Sequence, residues 1–251
     1  MTFPHQLLFI LAPLTALQQL VSARRHPGGE LTSNSGAFDF NSTLHSDHLR
    51  FKRAAIGRHS RLIQAMPPSS ATSAFLLNEH NKYRSHVPAT NMQFIFWDSA
   101  LAASAQAHAN TCDFLHSRGR KGVGENIWAA SYSDYSKAVQ LWFDEVYDPS
   151  CACPHHFKAC CGHYTQVVWS ETNRMGCGAA QCRQVNGAYG QRYVLVCHYS
   201  PSGNVIVARN GGLNYVPAFR WQNLTTKACS ECPPISKGSW QCETGLCKWT
   251  A

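Results

Sequence analysis

Gly162-His163-Tyr164-Thr165-Gln166-Val167-Val168-Trp169 alternates β-branched and aromatic residues, and the spacing predicts a strand opened by a glycine. His163 stands at the mouth of that strand with no cysteine partner of its own. About 30 residues on comes Val194-Leu195-Val196-Cys197-His198-Tyr199-Ser200-Pro201-Ser202-Gly203-Asn204-Val205. This second run reads as a strand carrying Cys197, a Pro-Ser-Gly-Asn turn and the start of a further strand. Strands are expected at about 163–169, 175–181, 191–199 and 204–209. Upstream the apolar spacing turns helical. Phe75, Leu76 and Tyr83 mark a helix over 71–86, capped by Thr72 or Ser73 and followed by Pro88. Asp98 caps an alanine-rich helix, Ser99 to Thr111, whose small residues permit close approach to a sheet. Asp134 caps a third, to Tyr147, with Val139, Trp142, Phe143 and Val146 on its apolar side and Pro149 beyond. Helices first and strands afterwards indicate an α+β domain with an antiparallel sheet.

Together the two runs resemble the paired signatures of the CAP superfamily: cysteine-rich secretory proteins, antigen 5 and plant pathogenesis-related 1 proteins. The resemblance implies a three-layer α-β-α sandwich, with helices covering both faces of the antiparallel sheet. It also implies a small disulfide-rich C-terminal hinge.

The chain opens with the form of an export signal. Leu7 to Leu17 is an apolar run of about 11 residues, short of the roughly 20 that a bilayer span needs. Val21-Ser22-Ala23 offers the small residues of a cleavage site, so residues 1–23 read as a signal peptide. Arg50-Phe51-Lys52-Arg53 closes a polar leader, 24–53, that has no periodicity. Cleavage after the basic residues Arg50, Lys52 and Arg53 would place the mature N-terminus at Ala54. All twelve cysteines follow that point. The rest divides into a CAP domain over 54–210, a connector over 211–228 and a cysteine-rich tail over 229–251. Asn41 and Asn223 each head an N-glycosylation acceptor, the first within the leader.

Net charge is +8, and the five basic and three acidic groups of residues 1–53 leave it at +6 without them. The charges are scattered, with no basic block or interleaved aromatic stripe, which argues against nucleic acid as a partner. No stable membrane span is expected.

Twelve cysteines in an exported chain mean disulfides. The resemblance pairs Cys112 with Cys182 and Cys177 with Cys197. A third bridge of the family would join Val123 and Ser200 here, so both of its partners are absent together. The insert Cys151-Ala152-Cys153-Pro154-His155-His156-Phe157-Lys158-Ala159-Cys160-Cys161 departs from the general pattern and resembles the peptidase inhibitor 15 branch. A bond between Cys160 and Cys161 would be badly strained. Two crosslinks between the 151/153 pair and the 160/161 pair are expected, in either arrangement. A zinc knot with His155 and His156 is the weaker alternative. Cys229, Cys232, Cys242 and Cys247 resemble the family's hinge, with two crossed disulfides. The chain ends four residues past Cys247, without the further cysteines of an ion-channel-regulating domain.

The resemblance also supplies a candidate site: a cleft tetrad of His116, Glu125, Glu145 and His163. Glu145 lies three residues after Trp142, on nearly the same helix face. His116 and His163 would bind a divalent metal, reversibly and Zn²⁺ in the first instance, and the carboxylates would orient the imidazoles. The same four groups would serve equally as a buried hydrogen-bond network, and a metal-dependent hydrolase is a third reading. No His-Glu-x-x-His or Gly-x-Ser-x-Gly motif is present, and no catalytic residue is assigned. Ser117 beside His116 lacks the geometry that a nucleophile needs.

The function expected is a secreted, extracellular binding or inhibitory module whose partner is an extracellular protein such as a trypsin-like protease. Lys158 would serve as a basic anchor on a stiff loop. A sterol or lipid carrier is the alternative, its groove lined by the apolar faces of 73–86 and 134–147.

Overall fold

The computed structural model describes residues 61–153, 158–209 and 211–251. The signal peptide, the leader with Arg50, Lys52 and Arg53, the Asn41 acceptor and the pair His155/His156 lie outside them.

Strand β1 (Leu62–Ala65) precedes helix α1 (Ser70–Ser85), whose N-cap Ser69 accepts from the Thr72 amide. The short strand β2 (Phe96–Trp97) leads into α2 (Ser99–Ala109), and the expected cap Asp98 accepts from the Ala100 and Leu101 amides. Strand β3 (Gly124–Ala130) follows. The third expected helix is broken into a 3₁₀ turn at Tyr135–Lys137, helix α3 (Ala138–Asp144) and a second 3₁₀ turn at Glu145–Tyr147. After a 3₁₀ turn at Ala159–Cys161 come α4 (Gly162–Val167), β4 (Arg174–Cys182) and β5 (Tyr193–Ser200). Two hairpins finish the chain: β6 (Ile206–Arg209) with β7 (Gly212–Tyr215), and β8 (Ser239–Glu243) with β9 (Leu246–Thr250).

The main sheet runs β1-β4-β5-β3, all antiparallel, with β2 added in parallel to β4. Alternation along the strands divides the core in two. Leu195, Cys197, Tyr199 and Trp128 face α1, α3 and α4, whereas Val194, Val196, Ile127 and Ala180 face α2. This is the expected three-layer α-β-α sandwich. Helix α2 lies against the sheet because β4 offers glycine where the two backbones meet. A Cβ at Gly176 or Gly178 would collide with the α2 backbone at Ala102 and Gln106.

One expectation fails. The run Gly162–Trp169 is not a strand; its first six residues form α4, with Tyr164 to Val167 buried. The Glu145 carboxylate accepts from the amides of His163 and Tyr164, both at 3.0 Å, and so satisfies two of the helix's orphan donors. At the other end, the Arg84 guanidinium donates to the carbonyls of Val167 (2.9 Å) and Trp169 (2.7 Å). These tertiary partners outweigh the β propensity of the run. Its loop contacts also bind the two quoted runs together: the Thr165 hydroxyl donates to Asn204 Oδ1 at 2.6 Å, and the Gly203 amide to Gln166 Oε1 at 2.9 Å.

The 211–228 stretch is more than a connector, since it supplies β7 and the buried pair Ala218 and Phe219. The four tail cysteines are crossed, Cys229–Cys242 and Cys232–Cys247. Cys112–Cys182 and Cys177–Cys197 are formed as expected. In the insert, the bridges are Cys151–Cys160 and Cys153–Cys161. No cysteine among the described residues is free, which leaves no thiolate for a zinc knot.

Candidate functional site: two carboxylate–histidine pairs at the sheet edge

The site is built around β3, the edge strand next to β5. Glu125 and Asn126 are consecutive strand residues and therefore point to opposite faces. Glu125 faces the α2 side, with its side chain fully buried. Its Oε1 accepts from His116 Nδ1 at 2.7 Å and from the Ser117 amide at 2.9 Å, and Arg120 Nη1 stands 3.2 Å away. Its Oε2 accepts from the Ser117 hydroxyl at 2.7 Å and from His198 Nε2 at 2.9 Å. Burial alone would raise this carboxyl, but the hydrogen bonds from His116, His198 and Ser117 outweigh it. Glu125 is held ionised well below the usual carboxylate range.

On the other face Glu145 is the counterpart. Its Oε1 accepts from His163 Nδ1 at 2.6 Å while its Oε2 caps α4. The His163 ring stacks on Trp142, with centroids 6.1 Å apart and planes at 20°. Asn126 links the pairs by donating to the His163 carbonyl at 3.1 Å.

Each tetrad histidine thus has Nδ1 taken by a carboxylate. That arrangement fixes the tautomer of a histidine ligand and leaves Nε2 for a metal. Both rings reach solvent, with side chains 61% (His116) and 35% (His163) exposed. The donor chemistry fits a borderline cation held by two imidazoles, with remaining positions for water. The four groups do not converge into a closed cage. Among the described residues, the sets of three or more ligand atoms within 4.8 Å of one another are cystine sulfurs alone.

The structure brings in groups that the sequence reading passed over. His198 lies opposite Glu125 in the β3–β5 register, and its Nδ1 meets the Ser104 hydroxyl of α2 at 2.7 Å. His108 on the same helix comes within 3.9 Å of Glu125. His198 sits inside the second quoted run, but only strand register reveals that it faces Glu125. Ser117 spends its hydroxyl on Glu125 and has no base. Lys158 turns back on its own loop, with Nζ donating to the carbonyls of Cys151 (3.1 Å) and Ala152 (3.3 Å).

This sandwich, its cystines and the paired carboxylate–histidine edge define a class. The profile of the Cysteine-rich secretory protein family (CAP) matches residues 77–199, and the chain belongs to that family. Over 231 residues it is 45% identical to Protein lon-1 of Caenorhabditis elegans, covering 88% of this chain and 73% of that one. It is 34% identical to Peptidase inhibitor 15 of Gallus gallus over 235 residues, 86% and 83% of the two chains. Among solved structures, NaASP2 with Zn²⁺ superposes with a TM-score of 0.54 at 26% identity, over 72% of this chain and 97% of that one.

Proposed function

We propose that the protein is a secreted, extracellular binding and inhibitory module, with a trypsin-like protease as the partner to test first. The carrying observation is the insert before α4. Two cystines, Cys151–Cys160 and Cys153–Cys161, cross-link its two ends within a few residues of His163. A loop braced in this way loses little conformational freedom on docking, so its contacts translate into affinity. The similarity to peptidase inhibitor 15 supports the same reading. Because Lys158 folds back onto the loop carbonyls, docking would rest on the loop's shape rather than on an extended lysine.

The imidazoles of His116 and His163 would hold Zn²⁺, oriented by Glu125 and Glu145. The metal would supply a Lewis-acidic centre, and the NaASP2 structure was solved with that ion. The faces considered for a lipid groove instead close on each other: Tyr83 stacks on Phe143 at 4.6 Å, and Leu76, Val139 and Trp142 are core.

The test pairs two measurements on chain secreted from Ala54 onward. Titration against trypsin-like proteases should reduce their rates stoichiometrically, and replacing Cys151, Cys153, Cys160 and Cys161 by serine should abolish the effect. Intact proteolysis at equimolar protein would remove the inhibitor reading. Zinc calorimetry beside a His116→Ala/His163→Ala variant should show about one ion bound by the wild type and none by the variant. Equal heats would assign the tetrad to a structural network.

A further inference from the structure

Where the tail hairpin β8–β9 meets the sandwich lies a cavity of about 950 Å³. Phe94 and Phe96 form part of its wall on the sandwich side, and Trp240 and Trp249 on the tail side, with Glu171 between them in sequence. The volume lies in the range of small-molecule sites. The cavity is held open by covalent and backbone links. The Cys232–Cys247 cystine spans the tail, the Cys247 amide donates to Met92 O at 2.7 Å, and the Phe94 amide donates to Cys247 O at 2.9 Å.

The charges at its rim select the ligand. Arg220 faces Glu231 at 3.7 Å, and Glu231 also accepts from the Thr90 hydroxyl. Arg174 pairs with Asp98 at 3.4 Å. Both guanidinium groups therefore have carboxylate partners. Glu171 has none: among the described residues no ion pair engages it, and its contribution to the fold is through its backbone carbonyl, which accepts from Gln93 Nε2 at 3.4 Å. One uncompensated carboxylate thus lines the same cavity as four aromatic rings. Ring faces attract cations through their quadrupole, and a carboxylate adds to that attraction. On Phe94 that attraction is already used within the molecule, with Lys248 Nζ 4.9 Å from its centroid, so Phe96, Trp240 and Trp249 are the rings left to a ligand. An anion in the same space would face Glu171 with both arginines already engaged.

We propose that this junction cavity binds a small organic cation, a quaternary or alkylated ammonium carried on an apolar body. The volume exceeds what a bare ammonium head fills, so the apolar body would occupy the remainder against the tryptophans. The site is separate from the His–Glu pairs and independent of the inhibitory reading.

The experiment is calorimetry on chain secreted from Ala54 with three probes of one shape: 4-phenylbutyltrimethylammonium, 4-phenylbutanol and 4-phenylbutyrate. Tryptophan fluorescence is followed in parallel, with Trp240→Phe and Trp249→Phe variants to assign any change among the seven tryptophans. The cation should bind with about 1:1 stoichiometry and quench tryptophan, with the alcohol and the carboxylate at least about tenfold weaker. Glu171→Gln, an exposed and nearly isosteric change, should leave the fold intact and weaken the cation by about two- to fivefold. Comparable binding of all three probes would overturn the proposal, as would cation affinity indifferent to Glu171→Gln. Tighter binding of a lysine-bearing peptide than of any small cation would also overturn it, replacing the small-molecule site with a protein-binding surface.

Discussion

His80 donates from Nδ1 to the Leu76 carbonyl at 2.7 Å and accepts at Nε2 from the Tyr199 hydroxyl at 2.8 Å. These are the roles of the neutral ring, the form that burial favours. Burial is the main cause of its lowered pKa, about 4; the Leu76 carbonyl opposes the shift and nearby Arg84 adds to it. Between pH 6.5 and 4 the unfolded chain binds the proton and the folded chain does not, so stability rises with pH through this window. The contribution is complete above about pH 6.5 and falls by about 3 kcal/mol as the pH drops to 4. Urea unfolding at pH 7 and pH 4 should show that loss in the wild type. His80→Gln, which cannot titrate, should be less stable at pH 7 but flatter in pH; an unchanged slope would clear His80 of the role. Arg84 poses the complementary case, a buried guanidinium whose partners are all backbone carbonyls, including Gln93 O and Thr172 O at 2.6 and 2.9 Å. Burial lowers its pKa to about 9, which still leaves it charged at neutral pH. Neither residue stood out in the sequence. A helix over 71–86 was legible from its apolar spacing, but Phe75 proves 40% exposed while Arg84 is fully buried. Apolarity predicts burial only until a polar group finds every partner it needs.

At the scale of elements, α4 shows what local pattern leaves out. Its residues favour a strand, and six residues are too few for a helix to persist without tertiary support. Glu145 supplies that support at one end and Arg84 at the other. Glu145→Ala should therefore cost about 1–2 kcal/mol by removing the cap. It should also speed amide exchange at His163 and Tyr164 more than elsewhere, and uniform exchange across the domain would refute the capping role. Glu145→Gln should retain part of the stability. The contact between α2 and β4 makes the opposite point, since the alanine and glycine residues that permit it are plain in the sequence. Gly178→Ala forces a methyl into the α2 backbone at Gln106 and should cost about 1–3 kcal/mol, read as a lower denaturation midpoint at unchanged slope. Asp98 and Ser99 also gave the start of α2 directly. By contrast, the Glu125–His198 pair depends on the β3–β5 register, which one sequence does not contain. Within the Glu125 environment, Ser117 lies close along the chain but was not read as a partner, whereas His116 was legible through the family resemblance. The groups contributed by β5 and α2 were not.

For the molecule as a whole, the question is whether the cysteine-rich tail is an appendage. The resemblance to the family's hinge made its four cysteines look like a separate segment, because a cystine-dense segment needs no large core of its own. The structure joins it to the sandwich. Leu246 is fully buried in the principal core with Met92, Ile95, Trp169 and Phe219. Cys247 exchanges backbone hydrogen bonds with Met92 and Phe94, and the Glu231 amide donates to Thr90 O at 3.1 Å. The segment before it is also anchored, with the Ser170 amide donating to Ala218 O at 2.6 Å. Apolar patterning within the tail gives little hint of this, since Ile235, Trp240 and Trp249 are as apolar as Leu246 and none of them is buried. Ending the chain at Ala228 should then do more than remove an ornament. It would uncover the core around Met92 and Ile95 in which Leu246 is buried and remove the backbone bonds of Cys247 and Glu231 to the sandwich, a loss of at least about 4 kcal/mol. The truncated chain, from Ala54 to Ala228, should melt at a lower temperature than the full mature chain. Its amides at Met92–Phe96 and Ser170–Asn173 should exchange faster, and it should bind a dye selective for exposed apolar surface. A truncated chain that melts with the full one, with those amides still protected, would show the tail to be an independent unit. Leu246→Ala in the intact chain separates the causes: with the tail and its backbone bonds kept, a destabilisation of about 2–4 kcal/mol isolates the share that comes from packing alone.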